Sequence, residues 1–431
     1  MSSGARVGFA GLSHLGIVSG IAAAARGFSV LAFDERAGLS DQLAAGQFPI
    51  SEPGLEEAFQ AHRQRLLYTA EAASMAACVL IFITLDVPTD DTNTSNLEPL
   101  RALIDKVAAN AQPGAILVLM SQVPPGFSRD AASRLPPNVR LFYQVETLVF
   151  GNAVARAIHP ERFIVGCPDP RVGIPNAYRG FLEAFECPVL PMRYESAELS
   201  KIAINCYLVS SVSTTNMLAE ICEGIRADWS EVVPALRLDK RIGPHAYLTP
   251  GLGIAGGNLE RDLVTIRRIA SGCDADAGVV LAWQANSAHR KDWARRVLVD
   301  KGILSREPKT QVAVWGIAYK ADTRSTKNSP SLVLIQSLKE YSVRAYDPAV
   351  ALGPDDFPHV QNCGSALEAV AGADVLVVMT PWKEFSEVPL DAVRRNMRGR
   401  SIVDPFAALS GGVCRELGFD YYRIGIGQLD V

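Results

Sequence analysis

Short apolar, β-branched runs alternate with longer amphipathic stretches through segment 1–193, the pattern of βαβ units wound around a parallel sheet. The spacing predicts strands over Arg6–Ala10, Ser29–Asp34, Val79–Thr84, Ile116–Met120, Arg140–Gln144 and Arg162–Val165. Between the first two, Leu15–Ala25 is small and apolar enough to pack on that sheet as a helix. From Tyr194 to Ile225 apolar residues recur at helical spacing with no Pro, and no Gly before Gly224, which predicts one long helix. It is too long for a crossover, so it is expected to connect domains and to offer a face for dimerisation. Helical character runs on to about Asp300, broken by the Gly-rich stretch Pro250–Asn258. After the polar stretch Ser305–Thr310 the pattern resets, and QVAVWGI, SVRAYDP, VLVVMT and SIVDPF read as strands of a second, smaller α/β domain. The expected fold is therefore α/β, with two Rossmann-like doubly wound domains joined by a long central helix and a helical middle domain. The expected boundaries are 1–193, 194–304 and 305–431.

Composition narrows the class. A chain of 431 residues, 48% hydrophobic and 20% charged, can bury more than one core. The formal net charge of -4, without Lys/Arg runs or basic-aromatic stripes, gives no sign of nucleic-acid binding. Cys78, Cys167, Cys187, Cys206, Cys222, Cys273, Cys363 and Cys414 are scattered, with no CxxC pair and no zinc-ligand spacing, so reduced thiols and no metal are expected. The opening MSSGARVGFAGLSHLG lacks the basic, apolar and cleavage regions of a signal peptide, and no apolar run approaches the ~20 residues that span a bilayer. A cytoplasmic protein with no membrane partner is expected.

The first chemical motif follows the first strand. Gly11 to Gly16, GLSHLG, matches G-x-G-x-x-G except that Ser13 replaces the middle glycine, the one that lets the backbone approach a pyrophosphate. Alone this is a weak signal, as compatible with a structural turn as with a cofactor site. Asp34 strengthens it, because it ends the second predicted strand 23 positions after Gly11, near the ~20-residue spacing at which a carboxylate takes ribose hydroxyls. A carboxylate there repels a 2'-phosphate and favours NAD over NADP, with the cation Arg36 two positions on.

Further stretches, in order along nearly the whole chain, resemble the UDP-glucose/GDP-mannose dehydrogenase family. They are FPISEPGLEEAF (Phe48 to Phe59), VPPG (Val123 to Gly126), the helix with Lys201 and Asn205, and DKRIG (Asp239 to Gly243). PGLGIAGG from Pro250, GIAYKADTRSTKNSP (Gly316 to Pro330), YDP (Tyr346 to Pro348) and TPWKEF (Thr380 to Phe385) continue the set. The resemblance implies an N-terminal domain that binds NAD, a C-terminal domain that binds the nucleotide, and a nucleotide-sugar substrate beside the long helix. It implies a cofactor set of Gly11, Ser13, Leu15, Gly16, Asp34, Arg36, Val87 and Ser121. The implied catalytic set is Lys201, Asn205, Asp262, Glu146 and Asn258; Lys201 and Asn205, at i and i+4, share a helix face and would stabilise an alkoxide. Asp262 would take part in proton transfer. The implied substrate set is Arg241, which reaches the nucleotide across a homodimer interface, with Tyr247, Gly253, Gly256, Lys320 and Lys327. Without the resemblance, Lys201, Arg241 and Lys320 read as ordinary solvated cations.

The departures form a pattern of their own. Family members oxidise an alcohol to an aldehyde, then bind that aldehyde on a cysteine, oxidise it again and hydrolyse the thioester. Asn258 stands in the cysteine's place, and a carboxamide is no nucleophile. Gln122 replaces a threonine that helps hold water, and Phe150 replaces the second glutamate of the stretch that keeps Glu146. Ile254, Arg261 and Phe406 depart at recognition positions, and STKNSP leaves Lys327 without a bidentate guanidinium. The expectation is an NAD-dependent oxidoreductase on a nucleotide sugar, a UDP-hexose, limited to one reversible hydride transfer that yields an aldehyde, a ketone or an epimer. The alternatives are a non-catalytic nucleotide-sugar or NAD-binding homologue, and a four-electron dehydrogenase with a displaced thiol such as Cys273 or Cys206.

Overall fold

A computed structural model describes residues 6–90, 94–305 and 309–427. The chain divides into two compact units, Met1–Ile204 and Asn205–Val431.

The first unit holds an eight-stranded sheet built from β1 (Arg6–Ala10), β2 (Ser29–Phe33), β3 (Leu66–Thr69), β4 (Cys78–Ile83), β5 (Ile116–Leu119), β6 (Arg140–Gln144), β7 (Phe163–Cys167) and β8 (Val189–Arg193). The order is β3-β2-β1-β4-β5-β6-β7-β8. The winding reverses between β1 and β4, and the crevice at such a switch point is where doubly wound sheets bind ligands. β1 runs parallel to both neighbours. Among the described strands the one antiparallel pair is β6 with β7, through Tyr143 opposite Gly166 and Gln144 opposite Val165. Periodicity carries no strand direction, so the all-parallel expectation fails there. Helix His14–Ala25 packs on β1 because its small apolar side chains are nearly all buried. Separate apolar clusters cover the two faces of the sheet, one around Phe9 and Phe82 and one around Ile81 and Leu117.

The second unit repeats the plan. Its sheet comprises β9 (Gln311–Trp315), β10 (Ser342–Tyr346), β11 (Val360–Asn362), β12 (Val375–Val378), β13 (Ser401–Val403) and β14 (Asp420–Tyr422), in the order β11-β10-β9-β12-β13-β14. The helices Trp229–Leu238, Asn258–Gly272, Gly278–Lys291 and Trp293–Asp300 belong to the same unit. The long helix is continuous over Tyr194–Ile225, as its Pro-free sequence predicts. The predicted strands Arg6–Ala10 and Arg140–Gln144 match to the residue, the others differ by one to three residues at their ends, and the edge strands β3, β8, β11 and β14 went unpredicted.

Candidate active site

In the first unit, Gly11 adopts φ +88°, open to glycine without strain. A Cβ on Gly16 would lie 2.2 Å from the Gly11 carbonyl oxygen and 2.7 Å from Thr84 Oγ1, so helix and strand ends touch here. Ser13 does more than replace a glycine. Its hydroxyl donates to Thr84 O at 2.8 Å and accepts from Asp86 N at 3.0 Å, tying the loop after β1 to the segment after β4. His14, at the head of the helix, contacts Glu52 at 2.8 Å and lies against the Phe150 ring at 4.4 Å between centroids. Leu15 is core, and Val87 packs half-buried against the second cluster. Asp34 accepts from Leu12 N at 2.7 Å and from Arg36. Burial works to raise the Asp34 carboxyl, but the Arg36 and Leu12 hydrogen bonds outweigh it and hold the group below the usual carboxylate range. Just beyond β5, the buried Ser121 hydroxyl has no hydrogen-bond partner among the described residues. A tight glycine turn opening a helix at the switch point, a carboxylate at the end of β2 and a buried hydroxyl without a partner fit a dinucleotide.

Lys201 lies on the part of the long helix that belongs to the first unit. Its Nζ donates to Glu146 O at 2.9 Å and to Glu146 Oε2 at 3.1 Å, which engages two of the three N–H groups of the ammonium. The second Glu146 oxygen accepts from Leu148 N, so the carboxylate is held by its own loop. One turn earlier, Glu198 is fully buried and accepts from Gly126 N at 2.6 Å and Ser128 N at 2.7 Å. It thereby ties the helix to the VPPG turn and to the head of helix Phe127–Arg134. Burial pushes the Glu198 carboxyl up, against the pull of those two N–H groups.

In the second unit Asn205 Nδ2 donates to Asp262 Oδ2 at 2.5 Å, and Arg261 Nε lies 3.5 Å from the other oxygen. All three are buried. Asn258 is the first residue of helix Asn258–Gly272 and is exposed. The turn before it is rigid. Gly253 has φ +77° and a Cβ there would lie 2.6 Å from Ser287 O, while Ile254 N donates to Ser287 Oγ at 2.8 Å. Gly256 has φ +81° and packs against the Tyr319 ring; its N–H donates to Lys327 O at 3.0 Å and its carbonyl accepts from Asn328 Nδ2 at 2.8 Å. Gly253, Gly256, Lys327 and Asn258 thus gather at one loop, with Lys320 Nζ 5.8 Å from the Tyr319 ring centre. Arg241 is paired with Asp239 at 2.7 Å, and Tyr247 offers its carbonyl to Thr215 Oγ1 at 2.9 Å. Both their side chains are exposed.

Sequence reasoning passed over Glu52, Glu198, Ser287 and Asn328. Glu52 and Asn328 lie inside the quoted stretches FPISEPGLEEAF and GIAYKADTRSTKNSP, and Glu198 stands three residues before Lys201, so a polar residue within or next to a motif was the available signal. Nothing local marks Ser287, whose role arises only when its helix meets the loop.

Comparison with known proteins follows these features. The UDP-glucose/GDP-mannose dehydrogenase family matches in three parts: its NAD binding domain over residues 5–180, its central domain over 195–287 and its UDP binding domain over 313–411. A UDP-glucose 6-dehydrogenase of Pseudomonas aeruginosa is 30% identical over 96% of this chain and 96% of its own length. One from Rhizobium meliloti is 28% identical over 96% and 98%. Among solved structures, a UDP-glucose dehydrogenase of Pyrobaculum islandicum shares the fold with a TM-score of 0.83 at 24% identity, covering 99% of each chain. A UDP-D-ManNAc dehydrogenase of Pyrococcus horikoshii has a TM-score of 0.83 at 21% identity, covering 98% of this chain and 100% of its own. The fitted loop and the matched domain make NAD the cofactor. With its three domains matched in order, the chain belongs to the UDP-glucose/GDP-mannose dehydrogenase family.

Proposed function

We propose that this protein oxidises a nucleotide sugar, a UDP-hexose, by one reversible two-electron step per turnover. NAD, when bound, supplies the hydride acceptor. The Lys201 ammonium, steadied by Glu146, stabilises negative charge on the substrate oxygen. Asp262, buried and oriented by the Asn205 amide, serves proton transfer. Asn258 supports the restriction to two electrons: a carboxamide stands at the head of its helix, where a thiolate would gain from the helix dipole.

Two observations speak against a displaced thiol. Cys273 caps the far end of the same helix, 15 residues on and therefore roughly 22 Å away at 1.5 Å per residue. Cys206 packs against the cluster of Val209, Ile254 and Leu263, and burial with nearby Asp262 raises its thiol. Incubation with NAD and a panel of UDP-, GDP- and dTDP-sugars tests the proposal. One NADH per sugar with an aldehyde or ketone product is expected, or an epimer with no net NADH. Two NADH and a uronic acid would refute it, and binding without turnover would favour the non-catalytic alternative.

A homodimer belongs to the same proposal. Tyr207 and Ile225, 18 residues and five full turns apart on the long helix, are 81% and 67% exposed. Met217 and Ile221 are also exposed. Exposed apolar residues on one element support that reading.

A further inference from the structure

The carboxylate expected to meet the cofactor's ribose is already saturated. Asp34 Oδ1 accepts from Arg36 N at 3.0 Å and Arg36 Nε at 2.8 Å, while Oδ2 accepts from Leu12 N at 2.7 Å and Arg36 Nη2 at 2.8 Å. Those four bonds match the four lone-pair sites of a carboxylate. Arg36 Nη2 also donates to Leu12 O at 2.8 Å, so the guanidinium bridges the end of β2 and the glycine turn. Nε and Nη2 are spent in this bridge, and no contact of Nη1 is found among the described residues. The Arg36 side chain is 55% exposed, whereas that of Asp34 is 6% exposed. Glu35 beside it is paired with Lys106.

The second unit supplies an internal control. Asp347 follows β10 as Asp34 follows β2, and likewise accepts from the turn after the first strand of its sheet, through Ile317 N at 2.7 Å and Ala318 N at 2.9 Å. Its remaining bonds come from Ala349 N, Val350 N and Trp382 Nε1. Such an aspartate can therefore be satisfied without a guanidinium, and Arg36 is an addition specific to the cofactor unit. In dinucleotide folds, a carboxylate at this place takes the 2'-hydroxyl, while a neighbouring arginine accommodates a 2'-phosphate.

We infer that Arg36 sets coenzyme choice: its guanidinium, rather than the Asp34 carboxylate, meets the ribose 2' position, so the site accepts NADP as well as NAD. The inference rests on the 11–16 loop holding a dinucleotide. Asp34 is neutralised by its partner, so its repulsion of a 2'-phosphate is cancelled, and the free edge of the guanidinium suits a phosphate.

Direct titration of the full-length protein with NADH and with NADPH, by calorimetry and without sugar, tests the inference. At low salt NADPH is expected to bind within about tenfold of NADH, and its affinity to fall more steeply with ionic strength. Arg36→Ala should shift the NADPH-to-NADH ratio against NADPH by roughly 10- to 100-fold, the worth of one charge-assisted hydrogen bond. Arg36→Lys should fall between the two, and retained NADH binding reports that each variant is folded. NADPH binding more than about 100-fold weaker than NADH in the unmodified protein, or a ratio unmoved by Arg36→Ala, overturns the inference and leaves the dinucleotide site standing. Binding of neither coenzyme overturns both.

Discussion

Asn205 and Arg261 hold the Asp262 carboxylate between them, and the residue is 2% exposed. Asn205→Ala removes a donor from a buried anion and should cost about 1–3 kcal/mol in urea unfolding. Asn258→Cys is the complementary test. A thiol at that helix head can form the thiohemiacetal and allow the second oxidation, but Gln122 and Phe150 supply no hydrolytic water. The variant should release two NADH per enzyme in a first burst and then stall as a thioester, visible as a mass increase on the protein. A steady two NADH per sugar would show that hydrolysis needs neither lost residue. At this scale the sequence showed which side chains depart from the family, since identity is written in it. It did not show that Ser13 ties two strand ends together or that Arg36 saturates Asp34, because those depend on how loops from separate strands meet.

The long helix was legible to the residue, because an unbroken apolar repeat without Pro leaves only one regular structure. Strands such as β11 and β14 have three residues each, too few for an alternation to register. β8 carries Pro191, which is tolerated because the strand lies at the sheet edge. In the second unit the helix also organises a buried charge. Arg290 is fully buried, 3.1 Å from Glu220 and 3.9 Å from Glu223, both on the long helix. Burial opposes the Glu220 charge, but His289 and Arg290 outweigh it and hold the carboxyl below its ordinary value of 4.5. That stabilisation is fully present above pH 4.5 and is lost as pH falls from there through the lowered folded value. Glu220→Gln should cost about 3 kcal/mol at neutral pH in chemical denaturation, by leaving Arg290 to Glu223 alone. The variant should also lack this component of the acid-side loss.

At the scale of the molecule, a second, smaller α/β domain was expected from the reset at Gln311, and a second sheet of six strands follows there. The antiparallel pair, the only one among the described strands, was not expected, since chain reversal between β6 and β7 leaves the hydrophobic pattern unchanged. Association is the open property at this scale. Light scattering is expected to give twice the chain mass, and the double variant Tyr207→Lys, Ile225→Lys is expected to give the monomer; an unchanged mass would place the interface elsewhere. The rigid turn ahead of Asn258 has one more consequence. Gly253 and Gly256 are held by Ser287, Tyr319 and Asn328, so the backbone owes nothing to the exposed side chain at 258. In a saturation library scored separately for cellular abundance and for turnover, position 258 should be silent in the first and decisive in the second. Gly16 should fail both, because any side chain there meets the Gly11 carbonyl. Under the proposed function, position 258 is thus a place where the chemistry can change without opposition from selection on folding.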